Sequence, residues 1–303
     1  MLGILSAFLA SVTWAFAVGV YADLSKKYPP SVVNFSRALV SAPLFLLVVV
    51  SKGAMQGAVY GALEGLQPMH FVWFGLSAIA SYSLGDVLFM KSTQSPLRAA
   101  GALAIASIYP IWAALFGWMF LKQPLEWLAI LGLLVVVLGT IGVILTSRNT
   151  QQEASALHHK MTLVAGVSLA LVSSLLWSLN SFSIGHVKDV SPFLGNIIRM
   201  SFAMILCPLV GVIFLKSKRV FLDKEDFKRY WPLLLGEAFG GSLFYVYGVS
   251  HTSLALGAIL TSLAPAIAVP LAYVRHSEVP SIKRASSVVA VLLGLWLVIY
   301  FTK

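Results

Sequence analysis

Ten stretches of about 20 mostly apolar residues, each cut from the next by a short polar or proline-bearing break, leave this chain few folds to adopt. They run near Gly3 to Tyr21, Pro30 to Val50, His70 to Met90, Arg98 to Phe120, Glu126 to Thr146, Met161 to Ile184, Ser191 to Leu215, Tyr230 to Ser250, Leu254 to Arg275 and Lys283 to Phe301. Inside a bilayer no water is available to backbone amides and carbonyls, so a run of this length must close its hydrogen bonds within itself as a helix. Only 11% of the residues are charged, against roughly 25% in soluble domains, so lipid rather than water is the solvent for most of the chain. The expectation is an all-α integral membrane protein with ten transmembrane helices. The apolar start, Met1 to Gly19, lacks the basic leader of a cleaved signal peptide and is read as the first helix.

The formal charge of +10 does not point to nucleic acid, because no basic face interleaved with exposed aromatics accompanies it outside one loop. Cys207 is alone in an apolar stretch, which excludes an intramolecular disulfide and a cysteine-based metal site. The six histidines lie near loops or helix ends (His70, His158, His159, His186, His251, His276) without metal-ligand spacing. No His-Glu-x-x-His, phosphate-binding glycine loop or Gly-x-Ser-x-Gly is present. The sequence therefore suggests no metal, no cofactor and no enzymatic chemistry, and gives no means of hydrolysing a nucleotide.

Ser147 to Lys160 is the clearest polar segment and divides the chain into residues 1–146, a linker 147–160 and residues 161–303. Internal repetition supports the division. A shift of 163 places aligns Gly3, Ala7, Ser11 and Trp14 with Gly166, Ala170, Ser174 and Trp177. A shift of 162 aligns Pro30, Asn34 and Arg37 with Pro192, Asn196 and Arg199. A shift of 155 carries Leu88-Phe89, Ser95, Ser107, Pro110, Ala113 and Gly139 onto Leu243-Phe244, Ser250, Ser262, Pro265, Ala268 and Gly294. Five helices per half is an odd number, so the second half enters the membrane from the opposite side. The halves are then inverted copies related by an axis in the membrane plane, an arrangement that recurs in secondary transporters and arises in channels too.

The duplicated Trp14 and Trp177, Arg37 and Arg199, and the small-residue fourth and ninth helices broken by Pro110 and Pro265 resemble the drug/metabolite transporter superfamily in its EamA-like branch. The resemblance covers the whole chain. It implies a permease of the bacterial inner membrane that exports or exchanges metabolites, amino acids, amines or drugs through a central cavity by alternating access. The family often carries an acid after the fourth and ninth helices; Glu278 fits in the second half, but the first has Lys122-Gln123-Pro124.

Fifteen Lys and Arg lie on the side of the odd-numbered connections and four on the other. By the positive-inside rule both termini would be outside the cytoplasm. The family resemblance implies termini inside, and the two criteria disagree.

A charged side chain in a membrane helix costs roughly 2.5–3.5 kcal/mol or more at the bilayer centre, so each needs a reason. Four stand out: Arg37, Asp86, Arg199 and Glu237. The repeat alignment sets Tyr82 against Glu237 and Asp86 against Gly241, so the two acids break the internal symmetry. The functional expectation is that both face the central cavity, binding a cationic group or taking up a coupling proton. The structural alternative is a paired or neutral acid in a packed interface, with Asp86 reaching Lys91 or water. Arg37 and Arg199 each follow an asparagine, Asn34 and Asn196, by three residues. They are expected to hold carbonyls or helix ends, or else to recognise an anion. Trp14, Tyr82, Phe89, Trp177, Asn180, Phe244 and Tyr245 are candidates to line an aromatic cavity or to serve as packing. Pro110 and Pro265 are candidate hinges, expected to kink their helices near the middle. Gly236 and Gly240 have the spacing of a close helix contact.

The leading functional expectation is a gradient-driven secondary transporter of a small solute, with membrane lipid and coupling protons as partners. The alternatives are a membrane-embedded enzyme using Asp86 and Glu237 as acid and base on a lipid-like substrate, or a passive facilitator.

Overall fold

A computed structural model describes residues 1–55, 66–96, 98–124, 126–146, 161–267 and 281–301, and every regular element among them is helical. The first part contains α1 (Leu2–Lys27), α2 (Pro30–Met55), α3 (Pro68–Ala78), α4 (Gly85–Ser92), α5 (Arg98–Ala106), α6 (Tyr109–Leu121) and α7 (Trp127–Thr146). The second contains α8 (Leu163–Gly185), α9 (Pro192–Leu215), α10 (Lys224–Leu235), α11 (Ser242–Ser250), α12 (Leu254–Thr261) and α13 (Ile282–Phe301). Seven stretches are long and apolar enough to cross a membrane, and three shorter apolar helices accompany them among the described residues. The chain is a multi-pass helical bundle of the membrane type. The central polar segment, Glu278 and the end of the ninth apolar stretch lie outside the described residues.

Prolines set several helix starts. Pro30, Pro68 and Pro192 stand in first turns, where the missing amide hydrogen has no helical partner to lose. The next chain segment then runs uninterrupted through apolar residues whose outward faces suit acyl chains. On α7 these are Leu134 and Leu138, and on α13 Leu292, Leu293 and Trp296, all exposed.

The inner faces of α7 and α13 carry glycines because the two backbones touch. A Cβ on Gly132 would lie 2.8 Å from the Gly294 carbonyl oxygen, one on Gly139 2.9 Å from the Val291 amide nitrogen, and one on Gly294 2.7 Å from Val136 N. Substituting Gly132→Leu is expected to force these helices apart at a cost of about 1–3 kcal/mol or more. The check is thermal unfolding of the purified protein in detergent, where Gly142→Ala, against a serine side chain only, is the milder comparison.

Helix neighbours keep their pattern when the two parts of the chain are exchanged. Helix α2 lies along α9 and α7 along α13, while α1 packs on α11 as α8 packs on α4, and α1 packs on α12 as α8 packs on α5. Gly3 at one end of α1 abuts His251, and Lys27 at the other bonds Asp226 at 2.8 Å, so these contacts mark the two ends of the bundle.

Two expectations need correction. The expected interruptions at Pro110 and Pro265 are present, but as breaks and not kinks: the helices stop at Ser107–Ile108 and Ser262–Leu263, and each proline sits in the first turn of the segment that follows. Gly236 and Gly240 make no close helix contact among the described residues, since a Cβ on either would meet none of their atoms within 4 Å. They belong to a π-helical turn, Gly236–Gly241, which widens the helix and rotates their face away from a neighbour. A second π turn, Ile79–Ser83, joins α3 to α4. The two turns overlap under the 155-place shift, and neither was visible in the hydrophobic pattern.

Candidate functional site

Both π turns lie in the bundle interior, and the side chains they present build the site. A π turn takes a carbonyl off the regular helical ladder and is frequent where function needs an irregular backbone. Asn34 on α2 donates to the Tyr82 carbonyl at 2.7 Å, and Asn196 on α9 donates to the Ser242 carbonyl at 3.2 Å. The asparagines, not the arginines, hold the carbonyls. That revises the expectation for Arg37 and Arg199, whose guanidiniums bond side chains only among the described residues.

Arg37 is 3% exposed and meets Glu237 as a fork, Nε to Oε2 at 2.9 Å and Nη2 to Oε1 at 2.8 Å. Its Nη1 donates to Asn34 Oδ1 at 2.8 Å and to Asp86 Oδ2 at 3.3 Å. Two parallel charge-assisted bonds on a planar group are the strongest pairing available to a carboxylate. Tyr21 donates its hydroxyl to the same Glu237 Oε2, and Asp86 accepts from Asn34 Nδ2 and Trp177 Nε1, each at 3.2 Å. Among the described residues the partners of Asp86 come from α2 and α8, and Lys91 is not one of them. Aromatic rings enclose the cation: the guanidinium carbon lies 4.6 Å from the Tyr21 centroid, 5.0 Å from Tyr82 and 5.6 Å from Trp14.

Arg199 sits in the corresponding place of the second part with different partners. Nε donates to Ser77 Oγ at 2.8 Å, Nη1 to Asn196 Oδ1 at 2.9 Å and Nη2 to Asn180 Oδ1 at 3.4 Å. Tyr82 and Tyr245 lie beside it, their centroids 5.4 and 5.6 Å from its central carbon. Asn180 also donates to the Tyr245 hydroxyl at 2.8 Å, and the Tyr82 hydroxyl meets Ser242 Oγ at 2.6 Å. One ring, Tyr82, thus separates the two arginines.

The structure brings together Trp14, Asn34, Arg37, Tyr82, Asp86, Trp177 and Glu237 around one cation, and Tyr82, Asn180, Asn196, Arg199 and Tyr245 around the other. Phe89 stacks near Trp177 with centroids 5.2 Å apart, whereas Phe244 is half-buried and joins no ring contact among the described residues. Sequence reasoning missed Tyr21 and Ser77. Tyr21 lies two helical turns beyond Trp14 on the same face, a signal that was available; Ser77 has no such signature among the chain's many helical serines.

A separate recess of about 420 Å³ opens at the end of the bundle marked by His251, lined by Gln123, Pro124, Lys188 and Ser250 to Ser253. Among the described residues no group of three or more His, Cys, Asp and Glu is placed to hold a metal ion.

Residues 1–145 and 164–300 each match the model of the EamA-like transporter family. No curated relative matches the sequence. One solved structure, described only as the crystal structure of a protein, superposes with a TM-score of 0.75 at 16% identity, covering 99% of this chain and 97% of that one. At that identity the likeness speaks for the fold alone.

Proposed function

The chain belongs to the EamA-like transporter family, whose members are transporters and not enzymes, and from that premise we propose that it is a secondary transporter of a small solute, working by alternating access between two inverted halves. The halves are residues 1–146 and 161–303, five spans each, joined by the linker 147–160. Two separate family matches and the exchange-symmetric helix neighbours support this division. The setting is a plasma membrane, and the solute is drawn from metabolites, amino acids, amines or drug-like molecules.

The observation that carries the proposal is the buried fork between Arg37 of the first half and Glu237 of the second, with Asp86 beside it. Ion pairs deep in a helical bundle that serve only cohesion are a poor investment, since apolar side chains of similar size hold as well. An ion pair joining two bodies that must part is different: it closes the access path while made, and either the solute or a coupling proton can replace one of its members. In this conformation the pair is closed, Arg37 and Glu237 being 3% and 8% exposed.

Counterflow tests the proposal. Proteoliposomes preloaded with unlabelled amino acids, amines, nucleosides or organic acids should accumulate at least one labelled counterpart transiently and saturably. Uptake that never saturates would indicate a passive pore, and absence of exchange with every class would remove the transport assignment.

A further inference from the structure

The two arginine pockets share a frame and differ in what fills the Nε and Nη2 face of the guanidinium. In each, an asparagine three residues earlier accepts from Nη1, at 2.8 Å from Arg37 and 2.9 Å from Arg199, and aromatic rings flank the guanidinium. In the first, Glu237 fills the fork with two bonds. The residue aligned with Glu237 is Tyr82, which offers Arg199 a ring and no carboxylate, and the residue aligned with Asp86 is Gly241. Among the described residues no carboxylate lies within ion-pairing distance of Arg199, although it is only 2% exposed. A guanidinium has five N–H donors. Arg199 spends three, one of them on a long 3.4 Å bond, and all on neutral acceptors.

We infer that Arg199, with Asn180, Asn196 and Ser77, is the docking site for a carboxylate group of the transported solute, which takes over the Nε and Nη2 face that the neutral Ser77 and Asn180 oxygens hold here and that Glu237 holds at Arg37. The inference rests on the transport proposal and specifies one chemical group of its substrate. Parallel charge-assisted bonds from Nε and Nη2 to a planar carboxylate are stronger than the single bonds these atoms make to the neutral Ser77 and Asn180 oxygens, the second of them 3.4 Å long. Tyr82 and Tyr245 give the adjoining part of the solute flat apolar walls. Solute reaches the site when the halves part.

The test compares carboxylates with their own amides: benzoate with benzamide, 4-methylpentanoate with its amide, and succinate with succinamide. Binding of each to the purified full chain is read by thermal shift. In the wild type at least one acid should bind about 10- to 100-fold more tightly than its amide, the range of a lost charged hydrogen bond. In Arg199→Gln the preference should vanish. Because that variant risks misfolding, Asn180→Asp is the second arm: it sets a carboxylate beside Arg199 in an isosteric side chain, and should keep or raise the melting temperature while abolishing acid binding. Amides binding as well as acids in the wild type, no acid binding at all, or an acid preference that survives Asn180→Asp would overturn the inference. Counterflow with the same probes separates it from the broader proposal. Exchange without acid preference sinks only the Arg199 site; acid binding at Arg199 without exchange of any probe sinks transport instead.

Discussion

Glu237→Gln is expected to lower the initial rate of solute counterflow by tenfold or more, with the protein still inserted and recovered in near wild-type amount. The glutamine keeps the size of the side chain and can still accept from Arg37 Nε, so packing around the π turn survives. Asp86, 3.3 Å from Nη1, remains as a counter-ion for the buried cation. What is lost is the charge that the proposed cycle exchanges, whether against a cationic group of the solute or against a proton. Removing that charge from the only glutamate in the cluster leaves a bond whose making and breaking no longer tracks the solute. The rate is measured in proteoliposomes and normalised to reconstituted protein. An unchanged rate would dispose of Glu237 as a functional group and leave the fork as structure.

Arg37→Met is expected to be the more damaging change to the fold. It strands two acids, 7% and 8% exposed, among Tyr21, Asn34, Tyr82 and Trp177 with no cation in contact. Breaking a buried pair from one side costs about 3–5 kcal/mol, because the partner left behind is charged and unsolvated. The signature distinguishing this from simple loss of volume is non-additivity. Adding Glu237→Gln to Arg37→Met should recover part of the lost melting temperature, since it removes one stranded charge, whereas two independent defects would sum. Thermal unfolding of the four proteins in one detergent provides the comparison. A double variant less stable than Arg37→Met alone would show that the ion pair is not what the arginine contributes.

The sequence carried the scaffold of this site further than its contacts. Apolar runs located the helices, and the order of Trp14, Asn34 and Arg37 against Trp177, Asn196 and Arg199 made the duplication legible, because rare residue types in sequence are hard to align by accident. It also marked Asp86 and Glu237 as departures from that duplication. It did not say that both acids converge on Arg37, for which the relevant spacing, 200 places between Arg37 and Glu237, is a fact about helix adjacency rather than periodicity. The π turns were hidden for a related reason. One extra residue per turn leaves composition unchanged, and it took the bonds from Asn34 to the Tyr82 carbonyl and from Asn196 to the Ser242 carbonyl to show why these asparagines are there. The same widening explains why Gly236 and Gly240, which mimic a helix-contact motif, face nothing, while the true contact runs through Gly132, Gly139 and Gly294.

The account depends on two halves inserted in opposite senses, and the ends of their first helices test it directly. Lys27 ends α1 and Lys188 follows α8, both are exposed, and the first bonds Asp226 while the second lines the recess beside His251. Cysteine is placed at Lys27 or Lys188 in a Cys207→Ser chain and challenged with an impermeant maleimide from each side of sealed vesicles. The two positions should label from opposite sides; labelling of both from the same side would contradict the inverted arrangement and the alternating access built on it.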